Sequence, residues 1–261
     1  MKTIYLPIKQ NKVSTVEQLI KEKQSFEVHD TSFTRIIKTT TTRIIMNEDG
    51  TPDFESLKLI NKVRSDAINT TVTRVKPINW YYYNDYNGNG KMNGEVIKLD
   101  LNEAYWAAAQ KMEIISEHTH NDFLAMSSGY TKKRKKMLRL RALGALATRK
   151  KITTYIDGLK VDSEIVINKQ SLQAYKAICG EVDDVLKTAL VQFNSLYYYW
   201  DCLFINDKKT LGDVKQFIAD KGYNFTLNRD IYTIYLSNLI NHISLYNRAY
   251  RYPINKNDIL K

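Results

Sequence analysis

The sequence predicts an α+β fold, an antiparallel-sheet core covered by helices behind a small mixed N-terminal region, and three observations carry that reading. From Glu95 to Leu227 the order runs strand, helix, cationic helix, hairpin, helix, acid-bearing strand, helix, strand. Within it, Asp157 and Gly158 separate two β-rich runs, a strong hairpin signal because both turn positions favour positive φ. A hydrophobic content of 43% over 261 residues is enough to bury the core of one large domain or two small ones. We divide the chain into a mixed region, 1–94, and a sheet-and-helix domain, 95–261.

The elements follow in order. "STVEQLIKEK" opens with Ser14 or Thr15, whose hydroxyl can accept from the free amides of a first helical turn. "FTRIIKTTTTRIIM" is rich in β-branched residues and reads as one or two strands. "NEDGTP" is a turn, "DFESLKLINKVRS" a helix and "INTTVTRV" a strand, and "NDYNGNGKMNG" is a loop by its Asn and Gly content. "EVIKLDL" is then an apolar strand and "NEAYWAAAQKM" a strong helix former. After a polar stretch comes "TKKRKKMLRLRALGALATRKK". It places Met137, Leu140, Leu143, Leu146 and Ala147 on one helical face and Lys132, Lys135, Lys136 and Arg139 on another.

"SLQAYKAICGEVDDVLKTALVQF" is a long helix, with Asp183 and Asp184 expected toward solvent. "NSLYYYWDCLFIND" is a strand pair or one bent strand with Asp201 amid apolar residues. Thr210 and Asp213 form a capping-box pattern, Gly222 is placed to end that helix, and "YNFTL" follows as a strand. A final helix is expected over "RDIYTIYLSNLINHISLYNRAY".

The net charge of +11 is local. Ten basic residues lie between Lys132 and Lys151 with no acid among them, and outside that segment 29 basic residues face 28 acidic ones. The segment reads as an anion-binding surface, with Lys132, Lys133, Arg134, Lys135, Arg139, Arg149 and Lys150 as nucleic-acid contacts. Eighteen tyrosines supply stacking surface of the kind single strands use. Against this stands the plainer reading of a solvated helix face. Cys179 and Cys202 lack metal-type spacing, "MKTIYLPIKQ" lacks a signal-peptide apolar run, and no apolar segment reaches bilayer length. A reducing, cytoplasmic setting without a membrane is expected.

Two acids, Asp100 and Asp201, each interrupt an apolar run, where an unpaired charge is costly, so they should converge on each other, on water or on a cation. Such a pair suits two-metal phosphoryl transfer. Asp100 has a second reading as the N-cap of the helix behind it. His118, His120 and Asp122 have metal-compatible spacing but read as surface residues in a polar loop, and Cys202 reads as a small buried hydrophobe.

Over Glu95 to Leu227 the chain resembles the palm of family B DNA polymerases, particularly the viral, protein-primed kind. "DLNEAYW" matches the first motif at Asp100, Asn102 and Tyr105, with Glu103 and Trp106 where Ser and Pro are usual. "KMLRLRALG" matches the second at Lys136 and Gly144, with Leu140, Arg141 and Leu143 replacing Asn, Ser and Tyr. "YYYWDCLFI" aligns Asp201 with the second Asp of the third motif, where Tyr199, Trp200 and Cys202 replace Asp, Thr and Ser.

The resemblance implies that Asp100 and Asp201 bind Mg2+, that Tyr105 packs beneath the incoming sugar and that Lys136 contacts nucleotide phosphates, with Asn102 beside them. It implies a nucleic-acid partner, DNA rather than RNA, a second replication protein, and a host cytoplasm. Every motif is altered, about 30 residues separate the first two, and little remains for fingers or thumb. The expectation is therefore a reduced palm that binds nucleic acid in replication. The alternatives are an active nucleotidyltransferase or one piece of a split polymerase, and a structural or interaction protein that keeps only the fold.

Overall fold

The structure is a computed structural model and describes residues 1–8, 14–31, 34–47, 53–78, 81–83, 90–205, 208–237, 242–246 and 251–252. The elements in chain order are β1 (Lys2–Pro7), α1 (Ser14–Lys21), β2 (Phe26–Asp30), β3 (Arg35–Lys38), β4 (Thr42–Asn47), α2 (Phe54–Asn69), β5 (Tyr81–Tyr83) and β6 (Gly90–Leu101). They continue with α3 (Ala104–Lys111), α4 (Glu117–Met126), α5 (Lys132–Gly144), a 3-10 turn (Ala145–Ala147), β7 (Lys150–Ile156), β8 (Leu159–Val166) and α6 (Lys169–Gln192). The last are β9 (Tyr197–Tyr199), β10 (Cys202–Ile205), α7 (Leu211–Asp220), β11 (Phe225–Ser237), β12 (His242–Tyr246) and β13 (Arg251–Tyr252). The chain is α+β, as expected, and its described residues form one mixed and one antiparallel sheet.

The chain divides into two units, each built from two segments. The first comprises residues 1–71 and 114–175 and the second 72–113 and 176–261. The division expected between residues 94 and 95 falls inside β6.

The first unit holds the mixed sheet, ordered β1-β4-β3-β2-β7-β8, in which β1 runs parallel to β4 and the other neighbours are antiparallel. Leu19, Phe26, Val28, Ile37 and Met46 form a core cluster, closed by Tyr155 stacked on Phe26 with ring centroids 4.5 Å apart. The expected hairpin is present, with Asp157 at φ 50° and Gly158 at φ 78°. A Cβ on Gly158 would meet the Ile20 carbonyl oxygen at 2.6 Å, so the turn needs glycine for space as well as for φ.

Three expectations change between residues 68 and 144. "INTTVTRV" is not a strand: α2 runs to Asn69 and 71–78 have no regular structure. The stretch read as polar loop holds α4, where His118 sits one turn from Asp122. Its N-cap Ser116 accepts from the Thr119 amide while donating to the Asp66 carboxylate. On α5 the buried residues are Leu138, Arg139, Ala142 and Leu143, whereas Met137 and Leu140 are 44% and 46% exposed. The stripe turns because α2 packs on α5 and the Phe123 ring of α4 lies 5.2 Å from the Arg139 guanidinium, a cation–π contact that accommodates the buried charge.

The second unit holds the antiparallel sheet, ordered β13-β12-β11-β6-β10-β9-β5. Its central strand, β6, begins at Gly90 within the expected loop and pairs with β11 from Leu101 opposite Phe225 to Gly90 opposite Leu236. Over 229–237 and His242–Tyr246 the segment expected as a final helix is therefore extended, while its residues 238–241 and 247–250 lie outside the described residues. Its Ile, Tyr and Thr residues suit a strand, and β6 supplies the ladder partner. Residues 84–89 of the expected loop lie outside the described residues.

Ile97, Leu99 and Leu101 bury one face of β6, and Ala104, Trp106, Ala108 and Ala109 are the buried residues of α3. Gly180 of α6 is a close-approach site, since a Cβ there would meet the Lys76 carbonyl oxygen at 2.7 Å. The adjacent acid Glu181 accepts from Lys76 at 2.6 Å and from Lys111 at 2.8 Å. Asp183, expected in solvent, is 3% exposed and accepts from the Tyr198 hydroxyl at 2.7 Å. Thr210 makes no side-chain cap, so the capping box does not form, while Gly222 ends α7 at φ 81° as expected.

Candidate metal centre

Side chains two apart on a strand share a face. Leu99 and Leu101 point into the core, so Lys98 and Asp100 share the opposite face, where both are partly exposed. β6 lies between β10 and β11, and Asp100 sits opposite Cys202 on one side and Thr226 on the other. Directly opposed residues project to the same side of a sheet, so Cys202 and Asp100 meet there.

Asp201 arrives by a different route. β9 and β10 form a hairpin in which Tyr199 pairs with Cys202, leaving Trp200 and Asp201 as a two-residue turn. Trp200 adopts φ 55°, the left-handed region, and its ring meets Tyr199 edge-on at 6.2 Å. Asp201 is thus in a turn and not within a strand. Its carbonyl accepts from the Leu101 amide at 2.9 Å, which ties the turn to the end of β6.

The result is a cluster of three potential ligand atoms, one carboxylate oxygen each from Asp100 and Asp201 and the Cys202 sulfur, all within 4.8 Å of one another. Asp201 Oδ1 lies 3.6 Å from the Cys202 thiol, which donates to it. The Lys98 ammonium is 3.1 Å from Asp100 Oδ2. Burial pushes the Cys202 thiol up, and the two carboxylates add to the rise, so at neutral pH it is a thiol.

Asp100 is not an N-cap. Three residues, Leu101, Asn102 and Glu103, separate it from α3, whose N-cap is Glu103 at φ 56° with no side-chain cap bond. Asn102 braces the junction instead: its amide donates to the Asn224 carbonyl at 2.8 Å and its side-chain oxygen accepts from Thr226 at 2.8 Å. Two non-glycine residues in the left-handed region, Glu103 and Trp200, therefore flank the cluster.

Asp100, Asp201, Asn102 and Tyr105 all belong to the second unit, with Tyr105 half-buried on α3. Lys136 and the other basic residues belong to the first. Lys132, Lys133 and Lys136 are exposed on α5, as is Arg149 beyond it; Lys135 and Lys150 are half-buried. Arg134 bonds Glu55 at 2.6 Å and lies 4.3 Å from the Tyr130 ring, and Arg141 bonds Asp53 at 2.6 Å. Arg139 is 8% exposed and leaves the cationic surface.

Lys98 and the thiol of Cys202 were not anticipated as parts of the site. The two-residue spacing of Lys98 and Asp100 on a strand was the available signal for the first. Among the described residues, no helix is long and apolar enough to cross a membrane. No protein-family model, curated protein or solved structure matches the chain.

Proposed function

We propose that the protein is a reduced polymerase-type palm that binds nucleic acid in replication of the phage kind, with Asp100 and Asp201 as its cation ligands. The observation that supports this most is their convergence: a strand-end acid and a hairpin-turn acid, far apart in sequence, meet at the end of one antiparallel sheet. A divalent cation held there would supply charge stabilisation to a phosphate oxygen. The carboxylates fit such an ion, since both are partly open to solvent. The exposed lysines of α5 supply the attraction for a phosphate backbone.

The reading is of reduced catalysis because the Lys98 ammonium already engages Asp100, and Trp200 fills the turn position before Asp201. An active nucleotidyltransferase is the second reading, favoured by the solvent access of both acids.

Binding of labelled single- and double-stranded DNA, followed by anisotropy across a salt series, tests the proposal alongside primer extension with Mg2+ or Mn2+. Salt-dependent binding with no extension is the expected result. Extension that Asp201→Asn abolishes would replace it with the active-enzyme reading, and no binding at low salt would overturn the nucleic-acid role.

A further inference from the structure

The third donor of the cluster discriminates between cations. Mg2+ is a hard ion that takes oxygen ligands in an octahedron, and a sulfur in its coordination sphere is a poor donor. Zn2+ and Co2+ accept thiolate and carboxylate together, and a site with three protein ligands leaves a fourth, open position.

The spacing agrees with the softer ions. With Zn–S near 2.3 Å and Zn–O near 2.1 Å, a tetrahedral ion separates sulfur from oxygen by about 3.6 Å. Cys202 Sγ and Asp201 Oδ1 stand 3.6 Å apart. The Asp100 oxygen is within 4.8 Å of both, and its carboxylate closes on them to share the ion. The three donors come from two elements held in register, Asp100 and Cys202 as a directly opposed pair and Asp201 by the Leu101 amide.

We propose that Asp100, Asp201 and Cys202 form a three-ligand site selective for a thiophilic divalent cation, Zn2+ or Co2+, over Mg2+. The inference rests on the cation-site reading above and names the class of ion. On binding, the sulfur coordinates as thiolate and its proton passes to solvent. Two carboxylates and a thiolate against the Lys98 ammonium then give a local charge that a dication balances.

The test uses the full chain stripped with chelator. Titration with Co2+ should produce a sulfur-to-cobalt charge-transfer band in the near ultraviolet, with tetrahedral d–d absorption, and Zn2+ should displace it while excess Mg2+ does not. Cys202→Ser should abolish the band and weaken Zn2+ binding by about tenfold or more, and Cys179→Ser should leave both intact. Asp201→Asn should weaken binding of every ion, with circular dichroism confirming that each variant folds.

Mg2+ binding as tight as Zn2+, or Co2+ binding without the charge-transfer band, would overturn the selectivity and leave the cation site standing. No binding of Zn2+, Co2+, Mn2+ or Mg2+ by the folded wild-type chain would overturn both.

Discussion

Asp100 and Cys202 are directly opposed residues on β6 and β10, and the backbone bond from the Leu101 amide to the Asp201 carbonyl sets the neighbouring hairpin turn against the same strand end. Main-chain pairing, rather than the acids themselves, thus holds two negative groups together. An ammonium, a thiol and any bound ion then decide how that charge is balanced.

Lys98 is the resident cation of the cluster, 3.1 Å from Asp100 and 18% exposed. Lys98→Met should raise divalent-cation affinity by about tenfold, because it removes a positive charge that competes for the same carboxylate. Isothermal titration of wild type and variant with one ion decides it, and weaker binding in the variant would show that the ammonium supports the site.

The basic helix separates binding from folding. Lys132→Ala, Lys133→Ala and Lys136→Ala should each lower DNA affinity and flatten the salt dependence by about one unit of slope or less, with little loss of stability. Arg139→Ala should do the reverse, destabilising by about 1–3 kcal/mol through lost packing against Phe123 while leaving the salt slope unchanged. Anisotropy and urea unfolding on the same four variants tell the two behaviours apart.

Tyr198→Phe removes the phenol that donates to buried Asp183, so it should cost about 1–3 kcal/mol although no carbon is lost. A change under about 0.5 kcal/mol by urea denaturation would show that the bond contributes nothing net.

Burial pushes the Glu181 carboxyl up, but the ammonium groups of Lys111 and Lys76 outweigh it and hold the group below its ordinary 4.5. A depressed folded-state value means the stabilisation is complete above the unfolded value and is lost as pH falls through the folded one. Wild type should therefore lose stability from about pH 4.5 downward, and Glu181→Gln should flatten that acid limb. At neutral pH the variant should be about 1–2 kcal/mol less stable, read from unfolding curves over a pH series.

How far the sequence was legible follows from where each decision is made. The Asp157–Gly158 turn is local chemistry, and it read correctly, as did the strand-to-helix passage from β6 to α3. Residues 229–237 did not, because their apolar and aromatic side chains suit either helix or strand, and what continues the strand begun at Phe225 is pairing with β6, far away in sequence. α5 read as a helix but with its apolar face misplaced, since the position of Phe123 determines which side Arg139 can turn inward. At the site, the acids were visible because each interrupts an apolar run. Lys98 became part of the cluster only once strand parity set it beside Asp100, and the Cys202 thiol only once register set it opposite.

The interleaved segments of the two units bear on how the protein is made. During synthesis β6 emerges about a hundred residues before β10 and β11, its two neighbours in the sheet, a high-contact-order arrangement. At ribosomal rates of roughly 5–20 residues per second, that strand waits roughly 5–20 s with both edges unpaired. Cluster assembly thus waits on the β9–β10 hairpin: Asp100 is synthesised about a hundred residues before Asp201 and Cys202, and any ion must load after that turn is made.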